Sequence, residues 1–322
     1  MRILITGGAG YLGTVTAQML LDGGHEVRVL DSLIHGDGPA LHLLGRERFE
    51  LVRGDVRDPL AVEGAVRGMD AVVHLAAIVG DPACAKSPEV ARAVNIDASL
   101  ALFEAASRAG VARFVFASTC SNYGRMAETT TPATEDHPLR PVSLYAEAKV
   151  AVEERLLADP ERAPAPAVTV LRFATLYGLS PRMRFDLTVN EFTLELARGS
   201  RLTVFGEQFW RPYVHVRDAA RAIHLALESP EAKGRVLNVG DTTENYRKLD
   251  LVALIREVVP EGQVDFVHRT EDPRDYKVAF ERIHATLGFT ITRRVRDGIR
   301  EIEAAVRAGF FKDADASLYR NI

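Results

Sequence analysis

The sequence feature that most restricts the fold of this chain is a glycine-rich turn between a short strand and a helix. Arg2–Thr6 is an apolar run of β type, and it leads directly into a turn that contains Gly7, Gly10 and Gly13. A helical pattern of apolar residues begins at Leu12. Glycines allow a tight turn and a close approach of the backbone to a pyrophosphate, and the helix start offers unpaired N–H groups to that anion. The turn therefore predicts a dinucleotide site near the start of the chain.

An acidic residue at the end of the next predicted strand indicates which dinucleotide the turn binds. The strand His25–Asp31 ends in a carboxylate, eighteen positions after Gly13. Such a carboxylate accepts hydrogen bonds from the adenosine ribose and repels a 2′-phosphate, and no arginine occurs in the five residues after Asp31. The pattern favours NAD over NADP. Two alternatives stay open, namely a turn counted from Gly8 instead of Gly7 and an Asp31 that is only a solvated loop residue.

Strands and helices alternate regularly through the first half of the chain. Four further strands are predicted at Phe49–Arg53, Asp70–Ala77, Ala112–Ala117 and Ala167–Phe173, and a long helix at Pro88–Ala109. Strands that are separated by helices at this spacing require right-handed crossovers and form a doubly wound parallel sheet. The predicted fold class is therefore α/β, with a Rossmann-type sheet.

The second half of the chain alternates less regularly. Helices are predicted at 186–198, 219–228, 248–258 and 295–308, with short strands at 202–205 and 236–239. We predict a Rossmann domain at residues 1–173, completed by about 213–239, and a smaller C-terminal α/β lobe within 174–322. A substrate should bind in the cleft between this lobe and the carboxyl edge of the sheet.

Length and composition agree with an enzyme and exclude several other classes. The chain has 322 residues, of which 47% are hydrophobic and 26% charged, and its formal net charge is −4. This charge gives no basis for binding nucleic acid or an anionic membrane, and the apolar runs are too short to span a bilayer. The two cysteines, Cys84 and Cys120, make neither a disulfide framework nor a metal cluster. So few cysteines suit a reducing compartment, and we expect a cytoplasmic protein. We also expect no metal, because no His, Cys or carboxylate group has metal-ligand spacing.

A tyrosine and a lysine four residues apart are the strongest catalytic signal. Tyr145 and Lys149 lie in a segment that is predicted to begin a helix, and this spacing places both side chains on one helical face. An ammonium group beside a phenol lowers the pKa of the phenol, because the positive charge favours the phenolate. Tyr145 could then take a proton from a hydroxyl and return it. Pairs of this kind are also common on the surfaces of helices.

The segment Ser118–Gly124 follows the fifth predicted strand, where open α/β sheets collect their reactive groups. Together with the glycine turn, Asp31, the Asp55-Val56 pair and the Tyr145–Lys149 pair, it resembles the extended short-chain dehydrogenases/reductases of the NAD-dependent epimerase/dehydratase group. Members of this group act on nucleotide-activated sugars. The resemblance spans nearly the whole chain, including the final helix after Leu287–Phe289.

The resemblance implies roles for individual residues. It implies cofactor contacts at Gly7, Gly10, Tyr11, Leu12, Gly13, Asp31, Asp55, Val56, Ala76, Ala77, Asn95 and Lys149. It implies that Tyr145 is the catalytic base, that Lys149 lowers its pKa and binds the nicotinamide ribose, and that Thr119 hydrogen-bonds the reacting sugar hydroxyl. Arg211 and, in a looser alignment, Arg274 correspond to arginines near the substrate diphosphate.

Departures from the family pattern bear on the reaction. The 4,6-dehydratases of the family have Asp-Glu directly after the Thr119 position, and its sugar-acid decarboxylases tend to have Glu at the second of these positions. Here the two positions hold Cys120 and Ser121, which argues against both reactions. Cys120 could be an acid/base for epimerisation at C3 or C5, although a small packing residue is the simpler interpretation.

The predicted substrate contacts also differ from the family pattern. Thr175 stands where many relatives have an asparagine that binds the diphosphate, and Arg182, Arg184 and Asn190 are possible replacements. The two arginines are a natural diphosphate clamp, but a solvated loop is equally consistent with them. Asp81 could bind a sugar hydroxyl or simply begin the turn before Pro82.

The sequence therefore predicts an NAD-dependent nucleotide-sugar epimerase that acts at C4 through a transient 4-ketosugar. A 4-ketoreductase or dehydrogenase of the same family is the main alternative, and a dinucleotide sensor without catalytic activity is a third. The predicted partner is a nucleoside-diphosphate sugar. Family analogy also predicts a homodimer, in which the helices around 88–109 and 143–158 of two copies pack together.

Overall fold

A computed structural model gives the fold and describes residues 1–126, 130–158, 166–269 and 274–321. Its strands are β1 (Arg2–Thr6), β2 (Glu26–Asp31), β3 (Phe49–Arg53), β4 (Ala71–His74), β5 (Arg113–Thr119), β6 (Ala167–Phe173), β7 (Thr175–Tyr177), β8 (Arg201–Phe205), β9 (Trp210–His215), β10 (Arg235–Val239), β11 (Asn245–Arg247) and β12 (Gln263–Val267). Its helices are α1 (Tyr11–Asp22), α2 (Pro59–Val66), α3 (Asp81–Lys86), α4 (Pro88–Arg92), α5 (Ala98–Arg108), α6 (Leu144–Leu157), α7 (Thr188–Ala197), α8 (Val216–Glu228), α9 (Lys248–Arg256), α10 (Glu281–Leu287) and α11 (Val295–Arg307).

The main sheet has seven parallel strands in the order β10-β6-β5-β4-β1-β2-β3. Its central strands are apolar because helices cover both faces, and all four residues of β4 are buried. The predicted doubly wound α/β sheet is confirmed. The direction of winding reverses between β1 and β4, and a crevice opens there beyond the carboxyl ends of the strands.

The second half of the chain adds two small sheets and returns once to the main sheet. Strands β7, β9 and β11 form a three-stranded mixed sheet, and β8 pairs with β12. Strand β10 lies beside β6 at the edge of the main sheet, and α8 packs against α1. The division into two lobes at residue 173 stays a prediction. In the described ranges, no helix is both long and apolar enough to cross a membrane.

Most predicted elements differ from the structure by one to three residues at an end, and two differences involve segments that line the cavity. The fourth strand was predicted to reach Ala77 but ends at His74. The Leu75 N–H still donates to the Thr6 carbonyl, but the Ala76 N–H donates to the Thr6 hydroxyl, so the backbone pairing stops there. The helix predicted at 88–109 is divided into α4 and α5 by a π-helical segment at Ala93–Asp97. Such segments often occur near functional sites. The proline-rich segment 159–166 lies outside the described residues except for Pro166, and its interpretation as a loop between a helix and a strand rests on the sequence alone.

Candidate active site

A cavity of about 430 Å³ lies at the carboxyl edge of the sheet, where the winding reverses. We call the residues that line it between Gly7 and Val94 the glycine wall, and those that line it between Ala117 and Asn321 the tyrosine wall. The volume is within the usual range for a small-molecule site. Both ends of the predicted site, the glycine turn and the Tyr145–Lys149 pair, therefore face one space.

The glycine turn is shaped by contacts that leave no room for side chains. Gly7 has a positive φ of 73°, and a Cβ atom on Gly13 would lie 2.2 Å from the Gly7 carbonyl oxygen. Helix α1 begins after Gly10 without a side-chain cap and without an acidic residue in its first turn. Gly10, Tyr11, Leu12 and Gly13 all line the cavity. The unpaired N–H groups at this helix start can therefore bind an anion.

Asp31 is fixed at the end of β2 and lines the cavity next to the turn. Its carboxylate accepts hydrogen bonds from the N–H groups of Ala9, at 2.9 Å, and Leu33, at 2.8 Å. A carboxylate has about four acceptor positions, so two stay available for a hydroxyl group. The turn and Asp31 together fit the pyrophosphate and the adenosine ribose of a dinucleotide.

The remaining cofactor candidates divide into residues that line the cavity and one that does not. Asp55, Val56, Ala76 and Ala77 line it. The carboxylate of Asp55 is held by Arg57, which lowers the pKa of Asp55 and also lines the cavity. Asn95 is buried outside the lining, in the π-helical segment. Its amide accepts from the N–H of Ile78 at 2.8 Å and donates to the Ile78 carbonyl at 2.9 Å, so it fixes the loop after β4.

Tyr145 and Lys149 both line the cavity from helix α6, whose first turn is capped by Ser143. Lys149 is buried, and its ammonium donates to the Ala117 carbonyl at 2.8 Å. Burial lowers the pKa of Lys149 to about 8. The Lys149 nitrogen lies 5.9 Å from the centre of the Tyr145 ring.

In this structure Arg184, and not Lys149, is the main charge that lowers the pKa of Tyr145, and the role expected of Lys149 stays a prediction. Burial raises the pKa of Tyr145 well above its ordinary value, and the main opposing charge is that of Arg184. The four-residue spacing puts the two side chains on one face, but the Lys149 ammonium is directed to the backbone of β5. The residue that most favours the phenolate is thus supplied by a distant segment of the chain.

The exit of β5 places two hydroxyl groups in the cavity and turns a thiol away from it. Thr119 and Ser121 line the cavity; the Thr119 hydroxyl accepts from the Ser121 N–H at 3.1 Å, and the Ser121 hydroxyl lies 3.2 Å from that of Tyr276. Cys120 is buried outside the lining and donates to the Arg172 carbonyl at 3.2 Å. Burial raises the pKa of this thiol well above its ordinary value. The position of Cys120 favours packing over acid/base chemistry.

The predicted arginine pair does line the cavity. Arg182 is buried, and Nη2 donates to the Arg320 carbonyl at 3.2 Å, while its Nε has no hydrogen-bond partner within the described ranges. Burial, followed by the charge of Arg184, lowers the pKa of Arg182 to about 10. Arg184 is paired with Asp186 at 2.6 Å. Two guanidinium groups with one carboxylate leave this part of the tyrosine wall positive, as an anion site requires.

The other predicted substrate residues are distributed differently. Thr175 lines the cavity. Asn190 is buried behind it, where its amide accepts from the Gly178 N–H and donates to the Arg184 carbonyl and the Tyr11 hydroxyl. Its visible role is therefore to fix the loop that presents Arg184.

Three more predicted substrate residues lie outside the lining. Asp81 and Arg274 form an ion pair at 2.9 Å, with Asp81 in the first turn of α3. The Arg211 guanidinium lies 5.3 Å from the centre of the Tyr276 ring, which itself faces the cavity. Arg211 therefore supports the cavity from behind Tyr276.

Several cavity residues were not found from the sequence, namely His35, Arg57, Tyr276 and Asn321. Burial and the charges of Arg182 and Arg184 lower the pKa of His35 to about 4, so its imidazole is neutral at pH 7. His35 follows Asp31 by four residues, and its position after a strand of the sheet was the one available signal. Tyr276 and Asn321 belong to segments without a recognisable motif.

Each wall is supported by a buried polar network. Behind the glycine wall, His74 lies between the hydroxyls of Thr6, at 2.6 Å, and Ser99, at 2.8 Å. His74 is therefore a hydrogen-bonded core histidine, and burial lowers its pKa to about 3. Behind the tyrosine wall, Glu153 and Arg172 form a buried ion pair at 2.6 Å. Ser118 and Asn122 also donate to the Glu153 carboxylate.

A parallel sheet with a glycine turn at its reversal point, and a Tyr–Lys pair facing the same cavity, define a dinucleotide-dependent enzyme of the short-chain dehydrogenase/reductase class. The family model described as the NAD dependent epimerase/dehydratase family matches residues 3–240. The chain belongs to this family, which confirms the resemblance inferred from its motifs.

Known relatives perform more than one reaction. The chain is 32% identical over 308 residues to a UDP-glucose 4-epimerase of Corynebacterium glutamicum, covering 90% of this chain and 91% of the relative. It is also 32% identical over 325 residues to a dTDP-glucose 4,6-dehydratase of an Actinoplanes species, covering 96% and 98%. Among solved structures, a Thermus thermophilus UDP-glucose 4-epimerase in complex with NAD superposes with a TM-score of 0.83 at 29% identity, covering 95% of this chain and 99% of that one.

Proposed function

We propose that this chain is an NAD-dependent nucleotide-sugar epimerase that inverts the configuration at C4 of the sugar. The coarser conclusion, an NAD-dependent enzyme that modifies nucleotide sugars, follows from family membership. The choice of epimerisation over dehydration rests on the carboxylates of the cavity. Among the described lining residues, the carboxylates are those of Asp31 and Asp55, both in the glycine wall.

Elimination of water from a sugar needs an acid and a base beside the reacting carbons. Next to Thr119 and Tyr145, the described part of the tyrosine wall offers hydroxyls, an ammonium and guanidinium groups instead of a carboxylate. Ser121 is too weak a base to remove a carbon-bound proton unaided, and the Cys120 thiol is directed away from the cavity. Reversible oxidation of a sugar hydroxyl needs only a group that takes and returns the hydroxyl proton, and Tyr145 is suited to this.

NAD, held by the glycine turn and Asp31, would supply a reversible acceptor for the hydride of the sugar carbon. Tyr145 takes the proton of the C4 hydroxyl, with the Thr119 hydroxyl orienting the same oxygen. Because burial raises the pKa of Tyr145, proton removal depends on nearby positive charge, and Arg184 is the main source of it. After the ketosugar has turned its other face, the hydride would return to C4 on that face, and Tyr145 returns the proton to the oxygen, so that the configuration at C4 is inverted.

The nucleotide diphosphate of the substrate requires its own positive site. Arg182 and Arg184 are our candidates for this contact, since both line the tyrosine wall and, among the described residues, only the carboxylate of Asp186 is paired with them. Thr175, Ser121 and Tyr276 provide hydroxyls for the sugar.

We also propose that the protein forms a homodimer. Exposed apolar side chains at Val142 and Leu144, at the start of α6, are consistent with a covered surface there.

The test is a reaction in D₂O with UDP- and dTDP-sugars labelled with deuterium at C4, followed by NMR. Epimerisation through a bound cofactor should retain the C4 label, incorporate no solvent deuterium into the sugar, and need no added NADH. Solvent deuterium at C5 together with a 6-deoxy product would indicate dehydration. Transfer of the C4 label to added NAD(P)⁺, with release of the oxidised sugar, would indicate a dehydrogenase or a ketoreductase working in reverse. Either result would overturn the proposal.

A substitution tests the role of Tyr145 directly. Tyr145→Phe should lower turnover by about 10²–10⁴-fold, because the proton acceptor is removed, while the NAD content of the purified protein stays the same. Tyr319→Phe is the matched control, since Tyr319 lies outside the cavity lining, and its turnover should equal that of the unchanged protein. Equal turnover in Tyr145→Phe would exclude the mechanism.

A further inference from the structure

Two histidines and a glutamate meet at the end of the sheet that is opposite the cavity. His25 directly precedes β2, so it lies at the amino end of that strand, whereas Asp31 at its carboxyl end faces the cavity. His224 and Glu228 lie one turn apart on α8, which packs against α1. The three residues form the only such group among the described His, Cys, Asp and Glu residues. They are brought together by the tertiary fold, since 199 positions separate the two histidines.

The three donor atoms have the separations that a tetrahedral metal ion requires. The Nε2 atoms of His25 and His224 are 3.3 Å apart. The Glu228 Oε1 atom lies 3.6 Å from His25 Nε2 and 3.2 Å from His224 Nε2. For zinc bonds of roughly 2.0–2.1 Å, the ligand atoms of a tetrahedral site are about 3.3–3.4 Å apart. All three separations lie close to this value.

The orientation of the rings adds an independent observation. The imidazoles of His25 and His224 are nearly perpendicular, at 88°, with centroids 5.3 Å apart. Two imidazoles that bind one tetrahedral zinc ion through Nε2 have centroids about 5.2 Å apart, whereas a straight N–H···N hydrogen bond of the same length would place them about 5.6 Å apart. The observed centroid distance of 5.3 Å is therefore closer to the value for a shared zinc ion than to the value for a straight hydrogen bond.

We propose that His25, His224 and Glu228 bind a divalent transition-metal ion, with zinc as the expected metal, and that water fills the fourth position. Two imidazoles and one carboxylate are borderline ligands that suit zinc. Coordination through Nε2 places the remaining ring proton of His25 on Nδ1, which lies 3.4 Å from the amino group of Met1. A protonated amino group cannot accept from this N–H, so it has to turn aside, and Met1 is exposed enough to do so.

The site has a structural function and takes no part in catalysis. It joins the start of β2 to α8, a helix from the second half of the chain that covers α1. None of the three ligands lines the cavity. We expected no metal because the sequence has no His, Cys or carboxylate group with metal-ligand spacing. His25 is far from His224 and Glu228 in the sequence, so spacing alone could not identify this group.

The experiment uses the full chain without any affinity tag, treated with a chelator and then titrated with zinc chloride in a calorimeter. One equivalent of zinc should bind, and at 100 times the dissociation constant it should raise the melting temperature by roughly 5 °C. Cobalt(II) in place of zinc should give the intense visible absorption of a tetrahedral site. NAD content should not change.

Substitutions assign the ligands. His224→Gln and Glu228→Gln should each weaken zinc binding at least about tenfold and abolish the thermal shift, and Glu228 is exposed enough for its variant to fold. His284→Gln, an exposed histidine on α10, is the matched control and should bind zinc like the unchanged protein. Absence of stoichiometric binding, equal binding in the ligand variants, or an equal loss in His284→Gln would overturn the proposal.

Discussion

The glycine wall and the tyrosine wall face one cavity but are built in different ways. The glycine wall comes from less than the first third of the chain, between Gly7 and Val94, and much of its shape is backbone. The tyrosine wall draws on residues from Ala117 to Asn321, and its chemistry is in side chains. A neutral hydrogen-bond network around His74 lies behind the glycine wall, and a buried ion pair of Glu153 and Arg172 lies behind the tyrosine wall.

Because of this difference, the two walls should be disrupted by different kinds of substitution. Backbone that binds an anion through helix N–H groups is damaged when an added atom displaces it. Side chains held by a buried ion pair are damaged when one charge loses its partner, because the remaining charge is left in a medium of low polarity. The following four experiments test this contrast.

The largest effect is expected at the tyrosine wall. Glu153→Gln removes the partner of the buried Arg172 and should lower the free energy of unfolding by about 3–5 kcal/mol. Urea unfolding followed by circular dichroism measures this. Glu154→Gln, an exposed neighbour on α6, should change stability by less than about 0.5 kcal/mol. A loss below 1 kcal/mol in Glu153→Gln would remove the contrast between the walls.

The matching change at the glycine wall adds a single methyl group. Gly13→Ala places Cβ against the Gly7 carbonyl and the Gly8 Cα atom, so the turn must move. We expect a loss of about 1–3 kcal/mol in stability and at least a tenfold loss in NAD affinity, measured by calorimetry. Gly64→Ala on α2 meets no atom within 4 Å and should be neutral or stabilising by up to about 1 kcal/mol. Full NAD affinity in Gly13→Ala would show that the turn tolerates displacement.

The neutral network around His74 should make the folded protein less stable at acid pH. The pKa of His74 is about 3 in the folded protein and about 6.5 when unfolded, because burial disfavours the charged ring. Below pH 6.5 the unfolded chain binds a proton that the folded protein does not, so stability is lost as the pH falls from 6.5 toward 3.

The measurement compares the pH dependence of unfolding in variants. Between pH 7 and pH 5 the unchanged protein should lose about 2 kcal/mol more than His74→Gln. His42→Gln, at an exposed histidine, should follow the unchanged protein. Identical pH profiles for His74→Gln and the unchanged protein would mean that His74 titrates normally.

The smallest effect is expected for substitution of Cys120, which lies between Thr119 and Ser121. Cys120→Ser keeps a hydrogen-bond donor to the Arg172 carbonyl and should cost less than about 1.5 kcal/mol in stability. Turnover should stay within about twofold, because the thiol is outside the cavity lining. A tenfold loss of turnover at unchanged NAD affinity would instead support an acid/base role and epimerisation at C3 or C5.

Much of the glycine wall could be predicted from sequence, because its parts are consecutive. Gly7 to Gly13 form one turn, and Asp31, Asp55 and Ala76 each follow a strand that the hydrophobic pattern identified. Asn95 was assigned to the cofactor, but it fixes Ile78 from outside the lining. Its position depends on a π-helical segment that periodicity alone does not reveal.

The tyrosine wall was predictable only where a motif marked it. Thr119, Tyr145 and Lys149 were found, and they line the cavity. Tyr276 and Asn321 were not found, and Arg211 and Arg274 were expected at the substrate although they lie outside the described lining. Sequence position cannot show which of two neighbouring side chains faces a cavity, since that depends on packing between distant elements.

The sequence by itself determined the parallel α/β sheet, the position of the glycine turn and the family, because strand alternation, glycine conformation and helix starts are local properties of the chain. Only the tertiary structure decided that Arg184 is the main charge opposing burial at Tyr145, that Cys120 points away from the cavity, and that His25 meets His224 and Glu228. Burial and charge at these groups come from segments far apart in sequence, and their effects exist only once packing has brought those segments together.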